Sequence, residues 1–183
     1  MERRTLLKAL ALAGFARQAS AAPPAHMKGV EDLQTNWKTF LPAGAAVPSP
    51  TEPVKLAKDE WRKRLAPESF HVMREEGTER AGTSPLNDEK RPGIFACAGC
   101  GLPLFTSAMK FDSGTGWPSF FTTIPDAFDQ KKDYFLLYPR IEYHCKRCGG
   151  HHGHVFDDGP QPTGERWCNN GVALKFLAKD AKG

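Results

Sequence analysis

A chain of 183 residues, 40% hydrophobic and 25% charged, has the composition of a soluble globular protein: one ordinary domain plus some extra length, with apolar material enough for a sizeable core. Its formal net charge of +4 comes with no run of basic side chains interleaved with aromatics, so the electrostatic footprint of a nucleic-acid binder is missing.

The first residues stand apart from the rest. Arg3, Arg4 and Lys8 make a basic start, residues 9–15 are small and apolar, and Ala19-Ser20-Ala21 offers an A-x-A cleavage site. Residues 1–21 are therefore expected to be a cleaved signal peptide, and the mature protein to lie outside the cytoplasm, in the periplasm. The paired arginines before Leu6-Leu7-Lys8 resemble a twin-arginine export signal, with Leu6 where that pattern commonly has Phe. The apolar run is too short for the ~20 residues of a permanent membrane anchor. Cleavage would remove Arg3, Arg4, Lys8 and Arg17 against Glu2, leaving 21 basic and 20 acidic residues. Residues 22–55 are rich in Pro, Ala, Thr and Gly, with Trp37, Phe40 and Leu41 as anchors, and read as a linker on the domain surface.

Residues 56–178 read as the folded domain and 179–183 as a tail. Trp61 and Leu65, four apart, mark one face of a helix that starts at Lys58 and closes at Pro67. A second helix is expected from Glu68 to Glu76, ending at Gly77, with His71 in a packing or surface role. Beyond Pro92 come short apolar runs punctuated by Gly and Pro, at residues 93–97, 102–105, 119–124, 134–138, 140–145 and 167–177. That spacing predicts a mainly β domain of antiparallel strands behind a short helical prelude.

The cysteines carry the most specific signal. Cys97-Ala98-Gly99-Cys100-Gly101 and Cys145-Lys146-Arg147-Cys148-Gly149 are two C-x-x-C-G knuckles. Thiolates at that spacing take two corners of a tetrahedron, and the glycine allows the turn that aims the second, so two knuckles make a closed four-cysteine zinc site. A closed site has no position for substrate, and one structural zinc per chain is expected. Two disulfides compete with this reading in an exported protein. A redox-active C-x-x-C lacks the surrounding βαβ pattern.

Cys168 is left over, at the start of the alternating run Val172, Leu174, Phe176, which reads as a half-buried strand. A lone thiol is commonly inert and buried. Against that, His151, His152 and His154 cluster upstream, and Arg166 and Asn170 stand two residues either side of Cys168 on the same strand face. Positive or hydrogen-bond-donating neighbours favour the thiolate and raise reactivity. His151 and His154 could instead begin a second metal site, which needs a further ligand from elsewhere.

From about residue 55 to 176 the chain resembles the B-type methionine-(R)-sulfoxide reductases. The resemblance rests on both knuckles, on WRKRLAPESFHVMREEGTE at 61–79, FDSGTGWPSF at 111–120 and GHVFDDGPQPTGERWCNNGVALKF at 153–176. It implies a β-tent-like fold of antiparallel sheets with the zinc remote from the active site, and Cys168 as the catalytic nucleophile. It further implies that His151 and His154 polarise or protonate the sulfoxide oxygen and that Asn170 orients the site. Trp117 would supply an apolar wall for the substrate methyl group, with Trp167 and Arg166 as further substrate-binding residues. The implied partners are methionine sulfoxide, free or in oxidised proteins, and a small-thiol or thioredoxin-like reductant acting on a monomer.

Four positions depart from the family pattern. Thr115 replaces a common resolving cysteine, Trp167 a Tyr or Phe, Gly171 a serine and His152 an apolar residue. Two readings from other classes compete. An exported zinc-ribbon interaction module would bind zinc without turnover, and a metal-dependent hydrolase would hold more than one metal per chain.

Overall fold

The computed structural model describes residues 28–133 and 140–180. The expected signal peptide over 1–21 and the expected strand over 134–138 lie outside these residues. Within the segment read as a linker, the chain forms helix α1 (Lys28–Thr35) and a 3-10 turn at Trp37–Phe40. Val30 and Leu33, three apart and so on one helical face, meet the domain. Val30 is buried, Leu33 packs on the core, and Gln34 Nε2 donates to Thr122 Oγ1 at 2.9 Å.

The prelude forms helices α2 (Lys58–Arg64) and α3 (Pro67–Glu75). Glu60 Oε2 accepts from the Ala57 backbone N–H at 3.1 Å, satisfying a donor that the start of α2 leaves open. Pro67 opens α3, where its missing N–H costs nothing. The left-handed cap of α3 falls on Glu76 (φ 55°), one residue before the glycine expected to end the helix. Trp61, Phe70, Val72 and Met73 are buried, and the Arg74 guanidinium lies 3.7 Å above the Trp61 ring. His71 is on the surface, beside Glu75.

Nine strands form two antiparallel sheets among the described residues. They are β1 (Gly93–Cys97), β2 (Pro103–Thr106), β3 (Lys110–Phe111), β4 (Ser119–Phe120), β5 (Phe128–Asp133), β6 (Arg140–Cys145), β7 (His151–Phe156), β8 (Arg166–Asn169) and β9 (Leu174–Ala178). The small sheet runs β2-β1-β9 and the large one β3-β4-β8-β7-β6-β5. Aromatic rings join them: Phe120 of β4 stacks on Phe105 of β2 at 3.9 Å and meets Phe95 of β1 edge-on at 5.0 Å.

The run 167–177, expected as one strand, is two strands in different sheets. A 3-10 turn at Gly171–Ala173 carries the chain from β8 to β9. The ladder stops because the N–H groups of Gly171 and Val172 bond to the Glu79 carboxylate instead of to a strand. The histidine cluster, for its part, is a strand of its own, β7. Among the described residues no helix is long and apolar enough to cross a membrane.

Candidate active site and metal centre

Cys97 and Cys100 sit at the β1–β2 connection, Cys145 and Cys148 at the β6–β7 connection, so one knuckle belongs to each sheet. Each is closed in the same way: Gly101 N–H donates to Cys97 O (2.9 Å), Gly149 N–H to Cys145 O (2.7 Å). Both glycines are left-handed (φ 78° and 67°), a conformation that a side chain would strain. Arg147 Nη1 ties the knuckles by donating to Cys100 O at 2.9 Å.

The four sulfurs converge, with Sγ–Sγ separations of 3.7 Å for Cys97–Cys148 and 3.5 Å for Cys100–Cys145. A disulfide holds its sulfurs at about 2.0 Å, whereas thiolates about 2.3 Å from a tetrahedral zinc stand roughly 3.8 Å apart. All four cysteines are free. The cluster is arranged as for a metal, and its donor set fits zinc rather than two disulfides. Crowding separates the thiols: hydrogen bonding from Cys100 and the others pushes Cys97 well up, while the same sharing pulls Cys148 down. A divalent cation removes that conflict by favouring the thiolate at every corner.

Cys168 lies on β8, away from this cluster, in a cleft of about 200 Å³ whose walls include Trp117, His154, Phe156 and Asn170. Strand alternation puts Arg166 on the same face. Arg166 forks onto Asp158 at 2.7 and 2.9 Å and lies 4.2 Å over the Phe156 ring. Burial pushes the Cys168 thiol above the ordinary value, and the Arg166 charge, with hydrogen bonds from Thr115 and Arg166, pulls partly back. The cationic neighbour expected from the sequence is there, but desolvation outweighs it.

The histidines separate. His154 is in the cleft wall and pairs across the sheet with Cys168. His151 and His154 share a side although three residues apart, which a regular strand forbids. A register shift allows it: Tyr143 faces Gly153 but His144 faces His151, leaving His152 as the extra residue of a β-bulge. His151 is 1% exposed, behind His154 with ring centroids 5.5 Å apart, and does not line the cleft. Burial, aided by His144 and His154, pushes it down to about 3, so it stays neutral in the physiological range. His152 points into the core, where its ring meets Phe128 and its Nδ1 lies 3.2 Å from Asn169 Oδ1. Gly153 lets β7 and β8 approach, since a Cβ there would collide with the Cys168 carbonyl.

Behind the cleft stands a residue that the sequence marks only as the last of the 61–79 motif, with no role of its own. Glu79 is buried after α3; its carboxylate accepts the Gly171 and Val172 N–H groups, its N–H donates to Asn170 Oδ1 (2.9 Å), and its carbonyl accepts from Trp117 Nε1 (3.1 Å). Asn170 also donates through Nδ2 to His152 O at 2.9 Å. It shapes the cleft as a tether between Glu79 and β7. Truncating the carboxylate strands buried N–H donors, each costing about 1–3 kcal/mol. Glu79→Ala is accordingly expected to lose about 2–4 kcal/mol in urea unfolding, with a smaller loss for Glu79→Gln, which keeps one acceptor oxygen. A change below about 0.5 kcal/mol in the alanine variant, the level of an ordinary surface substitution, would remove Glu79 from this role.

Residues 65–178 match the model of the SelR domain. The chain belongs to the SelR-domain family. It is similar to the peptide methionine sulfoxide reductase B1, chloroplastic, of Arabidopsis thaliana, 41% identical over 90% of this chain and 82% of that protein. It is also similar to the peptide methionine sulfoxide reductase MsrB of Methanosarcina barkeri, 48% identical over 69% of this chain and 90% of the relative. With the methionine-R-sulfoxide reductase B3, mitochondrial, of Mus musculus it shares 44% identity over 77% of this chain and 56% of the mouse protein.

In this SelR domain Trp167 is placed otherwise than a substrate-binding residue would be. It is on the face of β8 opposite Cys168, stacked over Phe128 (5.8 Å) and edge-on to Tyr143 (5.0 Å), with Nε1 bonded to Glu165 Oε2. Trp117 does line the cleft, its ring held by the Glu79 carbonyl. Thr115 stands beside Cys168, where its hydroxyl helps to pull the thiol's raised value partly back.

Proposed function

We propose that this SelR-domain protein reduces methionine-(R)-sulfoxide, free or in oxidised proteins, with Cys168 as the atom acceptor. One observation carries the reading: the only cysteine outside the four-sulfur cluster lines a cleft walled by Trp117, Phe156 and His154. The aromatic walls suit the methyl group and thioether chain of the substrate, and sulfur against aromatic rings is a favourable contact. His154, in the cleft wall, polarises the sulfoxide oxygen on this reading, and His151, neutral and buried behind it, supports that ring by packing. Arg166, anchored to Asp158, stabilises the thiolate.

In the chemical step the Cys168 sulfur gives two electrons, the S=O bond of the substrate breaks, and oxygen passes to Cys168. The products are methionine and a cysteine sulfenic acid, Cys168–SOH. Thr115 beside it has no thiol to condense with. An external thiol, small or thioredoxin-like, therefore attacks Cys168–SOH, releasing water and forming a mixed disulfide that a second thiol resolves. Zinc, when bound by Cys97, Cys100, Cys145 and Cys148, supplies structural cross-linking, and these residues are outside the cleft. The protein acts as an exported monomer on this reading, with residues 1–21 as the export signal.

The test is turnover on separated R and S epimers of a blocked methionine sulfoxide with dithiothreitol. The R epimer is expected to be consumed and the S epimer left. One equivalent of R epimer without reductant should yield about one methionine and a dimedone-trappable sulfenic acid. Equal rates on both epimers, or no methionine, would overturn the proposal.

A further inference from the structure

Beside the cleft, on the large sheet, β6 and β7 bring three metal-ligating side chains to one place. Glu142, His144 and His151 offer ligand atoms that all lie within 4.8 Å of one another. His144 Nε2 is 3.2 Å from Glu142 Oε1, and His151 Nδ1 is 3.5 Å from Glu142 Oε2. Ligands about 2.0–2.1 Å from a tetrahedral cation stand roughly 3.3 Å apart, and each imidazole lies at a comparable distance from its own oxygen of the Glu142 carboxylate. The bulge at His152 is what turns His151 into the set, as the register would otherwise face His144 with His152.

Three imidazole nitrogens of this cluster are buried without a hydrogen-bond partner among the described residues. They are both ring nitrogens of His151 and Nε2 of His144, and the His151 side chain is 2% exposed. His144 Nδ1 lies 3.4 Å from Gly149 O. If Nδ1 carries the proton and donates to that carbonyl, Nε2 presents its lone pair to a carboxylate oxygen, an arrangement that a cation between them completes. A backbone carbonyl holding the far nitrogen is the usual support of a ligating histidine. Lys131 is the competitor: its Nζ sits 2.6 Å from Glu142 Oε1, and also 3.2 Å from Glu76 Oε1, so it has a second carboxylate to retain when a metal enters.

We propose that Glu142, His144 and His151 form a second cation site, selective for a divalent transition metal that accepts imidazole and carboxylate, such as Zn²⁺, distinct from the four-cysteine cluster. Two imidazoles and one carboxylate leave a corner for water, and the nitrogen donors disfavour Mg²⁺ and Ca²⁺.

The experiment titrates Co²⁺ into full-length mature protein whose cysteine cluster already holds zinc, following the visible d–d absorption and the bound stoichiometry. One further equivalent is expected, without the thiolate-to-cobalt charge-transfer band that exchange into the cysteine cluster would give. His144→Phe and Glu142→Gln should each weaken that binding at least tenfold with zinc content and circular dichroism unchanged. Lys131→Ala should tighten it, because the competing ammonium is gone. No further equivalent in the unmutated protein, a charge-transfer band, or undiminished binding in His144→Phe would overturn the proposal. Should His144→Phe fail to fold, weaker binding in Lys131→Ala would overturn it equally.

Discussion

Cys168→Ser is expected to lose sulfoxide turnover by a factor on the order of 10⁴ or more, the scale on which removing a nucleophile abolishes covalent chemistry. Serine fills the same position on β8, opposite Ser119, and keeps the neighbours Thr115 and Arg166. What it lacks is a sulfur that can accept oxygen and later lose it as water when a thiol attacks. Zinc content and the unfolding midpoint should be unchanged, which separates lost chemistry from lost fold. Activity above about one per cent of the parent's would reject the assignment of Cys168. The pH profile supplies a second reading of the same site. Burial holds the Cys168 thiol above its ordinary range, so little thiolate is present at neutral pH, and the single-turnover rate should rise as pH rises through that raised value. Removing the Arg166 charge, as in Arg166→Leu, should shift the rise to still higher pH; a shift to lower pH would contradict the electrostatic role of the guanidinium.

Cys148→Ser should prevent the domain from folding, or lower its melting temperature by tens of degrees. A structural zinc held by four thiolates contributes apparent binding energy of about 10–16 kcal/mol, comparable with the whole stability of a domain, about 5–15 kcal/mol. In this protein the knuckles belong to different sheets, so a metal held by them would cross-link the β1–β2 connection to the β6–β7 connection. Arg74 Nη1 donates to the Cys148 carbonyl at 2.8 Å, linking the knuckle to α3 as well. A strong chelator should have the same effect on the zinc-loaded parent chain, slowly, because Cys97 and Cys145 are buried and an ion held by four thiolates would have no open coordination position. Unchanged melting and far-ultraviolet circular dichroism in Cys148→Ser would show that the cluster is dispensable for the fold.

Much of this protein is legible in the chain because it is written locally. The two C-x-x-C-G knuckles specify their own turn geometry within five residues, whatever surrounds them. The four-residue spacing of Trp61 and Leu65 marks α2, whose last residue is one short of Leu65, the short apolar runs mark an antiparallel β domain, and counting cysteines singles out Cys168. Strand alternation at β8 likewise puts Arg166 beside Cys168, and by the same rule sends Trp167 to the opposite face, into the core with Phe128 and Tyr143. Other features depend on partners remote in sequence. Glu79 breaks the strand after Asn169 because it captures two N–H groups 92 and 93 positions away. The bulge at His152 is an outcome of how β6 and β7 pair, and only that pairing gathers His151 with Glu142 and His144 and leaves His154 facing the cleft. Helix α1 forms in a proline- and alanine-rich stretch because Val30, Leu33 and Gln34 find surfaces on the finished domain. Periodicity and turn chemistry act over a few residues and survive in the sequence; register, bulges and buried hydrogen-bond partners exist only after distant segments have packed.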